Sequence, residues 1–211
     1  KATNDVDATL GYVAVTNGNL SVTASHDGIS AQTDAVVTGG TVTVKSGGGN
    51  TGKPATDVSA KGIKALANVV IGGGTVTVDS AGDSLHSTTN VALEGGTVTL
   101  ASGHQGIQSD STVNISGGTL SVTKCFEGIQ SLTLSISGGD ITLVASDDGI
   151  NATEKGTDPY ATSTKAFVTI TGGTTVVEGD TDGLDSNGAL TVSAGTLVVT
   201  SKATNNLGGG D

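Results

Sequence analysis

The sequence has no arginine, tryptophan or methionine, one cysteine, two prolines and four aromatic residues among 211. Four aromatics exclude an ordinary two-layer core anchored by large rings. Scarce proline, together with glycine that does not recur at every third position, excludes a collagen. A single Cys125 excludes an internal disulfide and leaves the redox compartment unmarked. Nine lysines against 20 acidic residues give a net charge of −11, so no basic face exists to neutralise nucleic-acid phosphates. No apolar run approaches the ~18 to 20 residues of a membrane helix. No signal-like segment stands at the start of the sequence, so if the protein is secreted, Lys1 follows a removed leader.

What the chain does contain is 34 glycines, about twice the ~7% of an average sequence. Short alternating runs of Val, Ile, Leu and Thr accompany them throughout, which excludes a disordered linker. Two anchors recur. The second residue of a Gly-Gly-type corner falls at positions 18, 40, 74, 96, 118, 139, 173 and 195, and a step of Asp-Gly-Ile type falls at 28, 62, 84, 106, 128, 149 and 183. Both series follow a period of 22 residues, once shortened to 21 and twice lengthened to 34. Val113 and Ile115 alternate before Gly117-Gly118, Leu120 and Val122 alternate after it, and Ile129 follows Gly128.

Each period therefore holds three short strands and three bends. One such unit cannot bury its apolar side, but copies stacked at ~4.8 Å share a continuous narrow core. The expected fold is all-β, a parallel β-helix of eight coils about 38 Å tall, right-handed by the usual preference of parallel crossovers. One domain spans 1–211, with insertions at 46–60 and 153–167. The first insertion reads as a flexible Gly-rich loop. The second, carrying Pro159 and Tyr160, is the better candidate to touch a ligand.

Equivalent positions of a solenoid stack, so chemistry is sought in columns. The residue before the step glycine runs Asp27, Lys61, Asp83, Gln105, Glu127, Asp148, Asp182. The residue two beyond that glycine runs Ser30, Lys64, His86, Gln108, Gln130, Asn151, Asp185. Glu127, Asp148 and Asp182 occupy three consecutive coils, with Asp147, Asp180, Asn151 and Asp185 along the same edge. Carboxylates ~5 Å apart repel unless a cation intervenes. Calcium suits them, because it takes 6–8 oxygen ligands in flexible geometry, whereas the absence of nitrogen and sulfur donors argues against zinc. The alternative is a solvated acidic corner.

Lys61, between Asp27 and Asp83, reads as charge neutralisation. A calcium-dependent lyase would need a base beside the metal, and Lys61 and Lys64 lie several coils away, while the columns do not fix Lys124 or Lys155 there. His26, His86 and His104 read as exposed edge residues, and Cys125 as a small residue at a bend, in a column with Ser25, Ala81, Gly103 and Ser146. Thr41, Thr75, Thr97, Thr119, Thr174 and Thr196 form an outward ladder, with Thr43, Thr77, Thr99, Ser121 and Thr142 two residues along. This grid is like that of ice-binding solenoids, although Asp140 and Val176 interrupt it.

The phrases GGTLSV, SGGDITLVASDDGINA and DTDGLDSNGALTVSAGTLVV resemble a bacterial family of carbohydrate-binding β-helix proteins, related in fold to polysaccharide lyase family 9. The resemblance spans about residues 13 to 200. It implies an extracellular or cell-surface, calcium-bearing β-helix that binds cellulose or acidic plant polysaccharide without catalysis. Carried over by position, Asp147, Asp148, Asn151, Asp182 and Asp185 would be its calcium ligands. Neither terminus, KATNDVDATLG or NNLGGGD, encodes an amphipathic cap helix. Open strand edges at the two ends of a β-helix would favour head-to-tail stacking of copies into a filament.

Overall fold

The computed structural model describes residues 1–7, 9–156, 158 and 161–202. Pro159, Tyr160 and the tail from 203 onward, on which two of the sequence expectations rest, lie outside the described residues. Every regular element among the described residues is a strand, and all the strands pair in parallel in three sheets. The first sheet has eight strands from Val13–Val15 to Ala189–Val192, and the second has eight from Asn19–Ala24 to Thr196–Ser201. The third has seven, from Ile29–Ala31 to Leu184–Ser186. Each strand pairs with its counterpart one coil away, so the chain winds as a parallel β-solenoid of about eight coils.

The corner between the first and second sheets shows why the repeat needs glycine. The second residue of every corner lies at positive φ, from +78° at Gly40 and Gly173 to +91° at Gly139. At Gly96 an added Cβ would also lie 2.7 Å from the carbonyl oxygen of Gly74 in the preceding coil. Backbone conformation and interlayer contact thus both exclude a side chain.

Alternate residues of each strand point inward, as period-two patterning requires. Val42, Val76, Val98 and Leu120 form one buried ladder, and Ile29, Ile63, Leu85, Ile107, Ile129 and Ile150 another. Layers of branched aliphatics fill the narrow section without aromatics. Outward on the second sheet, Thr41, Thr75, Thr97 and Thr119 align in register, and Asp140 then interrupts the row before Thr174 and Thr196.

Several expectations need correction. Cys125 is not a bend residue. The strand Thr119–Lys124 slips by one residue against Thr97–Ser102, so that Ala101 pairs with Lys124. The bulge, where the Thr123 hydroxyl donates to the Leu100 carbonyl at 3.1 Å, turns Cys125 into the core. There it takes the inward place held by Ser102 and Ala145 in adjacent coils, and its thiol donates to the Val144 carbonyl at 3.3 Å. His86 is buried rather than exposed. The first insertion is tied down, because the backbone N–H and side-chain amide of Asn50 donate to Asp79 at 2.6 and 2.8 Å. At the first coil, Ala2 pairs with Ala31, so the chain's own first residues cover the starting edge of the third sheet.

Candidate functional site

The two polar columns run along the outer side of the third sheet and the bend that leads into it. Backbone bonds fix their spacing. The carbonyls of Lys61, Asp83, Gln105, Glu127, Asp148 and Asp182 accept the N–H groups of Gly28, Gly62, Ser84, Gly106, Gly128 and Gly149, at 2.8–3.0 Å. Each column side chain therefore projects directly over its counterpart in the coil before.

In the lower coils the charges are matched internally. Asp83 has no exposed surface. Its carboxylate takes an ion pair from Lys61, hydrogen bonds from His86 Nδ1 at 2.9 Å and His104 Nδ1 at 2.8 Å, and the Gln105 N–H at 3.4 Å. Burial alone would raise its pKa, but the two imidazoles and the Lys61 ammonium outweigh burial and hold it far below the ordinary carboxylate range. Asp27 is bound in the same way by Ser59 at 2.6 Å, the Lys61 N–H at 2.9 Å and Lys64 at 3.5 Å. Lys61 is thus the neutralising residue its column position implies. His86 and His104 are partners of a buried carboxylate.

Two coils further the same column carries unmatched acid. Glu127, Asp147 and Asp148 each place an oxygen within 4.8 Å of the others, a separation that two oxygens at ~2.4 Å on opposite sides of one calcium ion would have. Glu127 is 5% exposed, held by Gln105 Nε2 at 2.6 Å and Asn151 Nδ2 at 2.8 Å. Asp148 is driven up to about pH 7, first by burial and then by Asp147, with Glu127 and Asp185 adding to the repulsion. The carboxamide oxygens of Gln105 and Asn151, buried beside the group, have no hydrogen-bond partner. Carboxylates that repel and carboxamide oxygens without donors are the donor set a hard cation satisfies, and rotating either carboxamide would turn its oxygen toward Glu127.

Of the seven residues the sequence singled out, the structure gathers Glu127, Asp147, Asp148 and Asn151. Asp185 aligns with Asn151 in the neighbouring strand. Asp182 reaches the group through its backbone, its N–H donating to Asp148 at 3.1 Å. Asp180 is engaged by Lys202 at 2.8 Å. Gln105 belongs to the site but was passed over, because it is neutral; its place between Asp83 and Glu127 in the column was the available signal.

Beside this group the second insertion roofs a recess of about 240 Å³ lined by Gln108, Asp110, Gln130, Thr153, Glu154 and Lys155. Lys155 closes onto Asp110 at 2.7 Å, while the other Asp110 oxygen is buried without a partner. Gln130 links recess and acid group, accepting from Gln105 Nε2 at 3.3 Å. The lining side chains carry hydrogen-bond capacity of both kinds beside a somewhat larger carbon surface, a mixture suited to a hydroxylated ligand.

A family model described as carbohydrate-binding domain-containing protein matches residues 1–106 and again residues 101–208. No curated protein and no solved structure matches the chain. The two family matches together span nearly all of the solenoid, polar edge and recess included, and the chain belongs to the family of carbohydrate-binding domain-containing proteins.

Proposed function

We propose that this protein is a calcium-dependent polysaccharide-binding β-helix that acts outside the cell, without catalysis. The observation that carries the reading is the adjacency of three clustered carboxylates, two partnerless carboxamide oxygens and a polar recess along one edge of coils four to six. A bound calcium ion would offset the repulsion at Asp148 and keep open positions for glycan oxygens, so an acidic polysaccharide could share the ion despite the chain's net charge of −11. Three of the four candidate bases, Lys61, Lys64 and Lys155, are ion-paired with Asp83, Asp27 and Asp110, which favours binding over turnover.

Affinity measurement on polygalacturonate and on cellulose, in millimolar calcium and again in chelator, tests the proposal. Retention that needs calcium is expected. Equal retention in chelator, or release of unsaturated products, would refute it.

A second reading, head-to-tail stacking of copies, is favoured by the last described coil. Leu190, Val192 and Val199, the counterparts of buried Val168, Ile170 and Val177, are exposed there. Sedimentation velocity tests it, and a concentration-independent monomer would rule it out.

A further inference from the structure

His104, Phe126 and Asp147 occupy one position of the bend in three successive coils. The Phe126 N–H donates to the His104 carbonyl at 2.8 Å, and the Asp147 N–H to the Phe126 carbonyl at 3.0 Å. Two ring side chains therefore lie along the bend in the two coils before Asp147 of the acid group. They are parallel within 10°, with centroids 6.4 Å apart. Planes separated by anything between van der Waals contact and the coil spacing must then be slid past one another by about 4 to 5 Å, so each ring leaves part of a face uncovered. Phe126 is 45% exposed, unusual for the largest apolar side chain on a polar edge.

His104 is held rather than loose. Its Nδ1 is committed to Asp83, a carboxylate with no exposed surface, which leaves Nε2 directed away from that bond and the ring more than half exposed. A merely structural partner for Asp83 would not need an open face. Two other exposed aromatics, Tyr12 and Phe167, belong to the coil-one entry and the first sheet, away from this column.

The geometry points to Phe126 and His104 as a sugar-contact platform, on which a glycan running along the solenoid axis lays one ring while its neighbour reaches the cation at Glu127, Asp147 and Asp148. Asp83 is the positioning residue for His104. The C–H groups on the apolar face of a pyranose carry partial positive charge and meet the negative faces of the rings. Nε2 meets a hydroxyl or ring oxygen at the edge. The ~4.8 Å step between coils is comparable with one sugar ring in an extended chain, so successive residues can address successive coils.

This inference rests on the carbohydrate-binding reading above, and its test separates the two. Affinities for polygalacturonate and cellulose are measured in calcium for wild type, Phe126→Ala, His104→Ala, Phe126→Trp and Phe167→Ala, with calcium affinity followed in parallel by calorimetry. On whichever glycan wild type binds, Phe126→Ala and His104→Ala should each weaken binding roughly five- to thirty-fold. Phe126→Trp should restore it, Phe167→Ala should change nothing, and calcium affinity should stay within about twofold throughout. Wild-type glycan affinity in Phe126→Ala overturns the platform and leaves the general reading standing. Parallel loss of glycan and calcium binding in Phe126→Ala also overturns it, by assigning Phe126 a structural role. Failure of wild type to bind either glycan overturns both.

Discussion

Replacing Asp83 by Asn keeps the shape of the side chain and removes the charge that three cationic or proton-donating groups share. The carboxylate is fully buried, and Lys61, whose side chain is 22% exposed, has it as counter-ion. His86 Nδ1 and His104 Nδ1, at 2.9 and 2.8 Å, lose the same acceptor. Breaking a buried pair from one side costs about 3 to 5 kcal/mol, because the remaining charge keeps only limited access to water. For a chain of this size that corresponds to a fall in Tm of roughly 6 to 20 °C. Thermal melting by circular dichroism, with urea titration for the free energy, measures it. Lys61→Met in the Asp83→Asn background should recover at least half the loss by removing the stranded ammonium. The variant also predicts a change in pH response. The Asp83 hydrogen bond raises the His104 pKa, so this contribution is complete below pH 6.5 and fades as pH rises through the raised value. In Asp83→Asn that fall in stability should vanish. A loss under about 1 kcal/mol, or no recovery in the double variant, would refute the argument that Asp83 organises the lower coils.

Three further outcomes are expected. Asp148 keeps its proton up to about pH 7 in the fold but releases it near 3.8 when unfolded, so metal-free protein should lose stability as pH rises between those values. Solvent screening limits the loss to about 1 to 2 kcal/mol, and melting curves at pH 4.5 and 7.5 should show a larger fall in wild type with chelator than in Asp148→Asn or calcium-loaded protein, where only the His104 contribution remains. The Cys125 thiol, pushed up to about 12 chiefly by burial, should resist iodoacetamide at pH 8 and react once urea unfolds the chain; labelling of native protein would place it outside the core. Gly96→Ala should destabilise by at least ~2 kcal/mol and Gly18→Ala by clearly less, since both glycines have φ above +80° but only at Gly96 would the new Cβ meet backbone of a preceding coil. Equal losses in urea titration would mean that the interlayer contact contributes nothing.

The period, the three strands per coil and the inward ladders were all legible in the sequence, because stacking forces one register on every coil and writes it into the anchor spacing. What spacing cannot show is a compensated irregularity. Gly118 and Gly128 are ten residues apart, as Gly96 and Gly106 are, yet one coil carries a bulge at Thr123 and then one residue fewer before the step glycine. The two changes cancel in the count, so Cys125 was assigned by arithmetic to a bend that it does not occupy. The burial of His86 was hidden for a different reason. Its place in the column was correct, but its exposure depends on Asp83 and Gln108 drawing the imidazole inward, and column order carries no information about which neighbours a side chain leans toward.

Column order does, however, explain why one edge divides into a self-neutralised part and an acidic part. Asp83 and Asp148 occupy equivalent positions three coils apart, and their environments push in opposite directions: Asp83 is held ionised well below the ordinary range, Asp148 is raised to about 7. Burial acts on both in the same sense, so burial cannot be what separates them. The difference is the residue in the neighbouring coils. Around Asp83 these supply Lys61 and His104; around Asp148 they supply Glu127, while Asp147 stands beside it in its own coil. A carboxylate whose column provides its own cation contributes to folding, as the Asp83→Asn prediction requires. A carboxylate whose column provides more acid destabilises the empty site and gains most from a cation arriving from solution. Lysine at the lower coils and its absence from the corresponding column positions at coils five and six thus make the upper half of the edge the place where the proposed ion, and any glycan that shares it, would gain most.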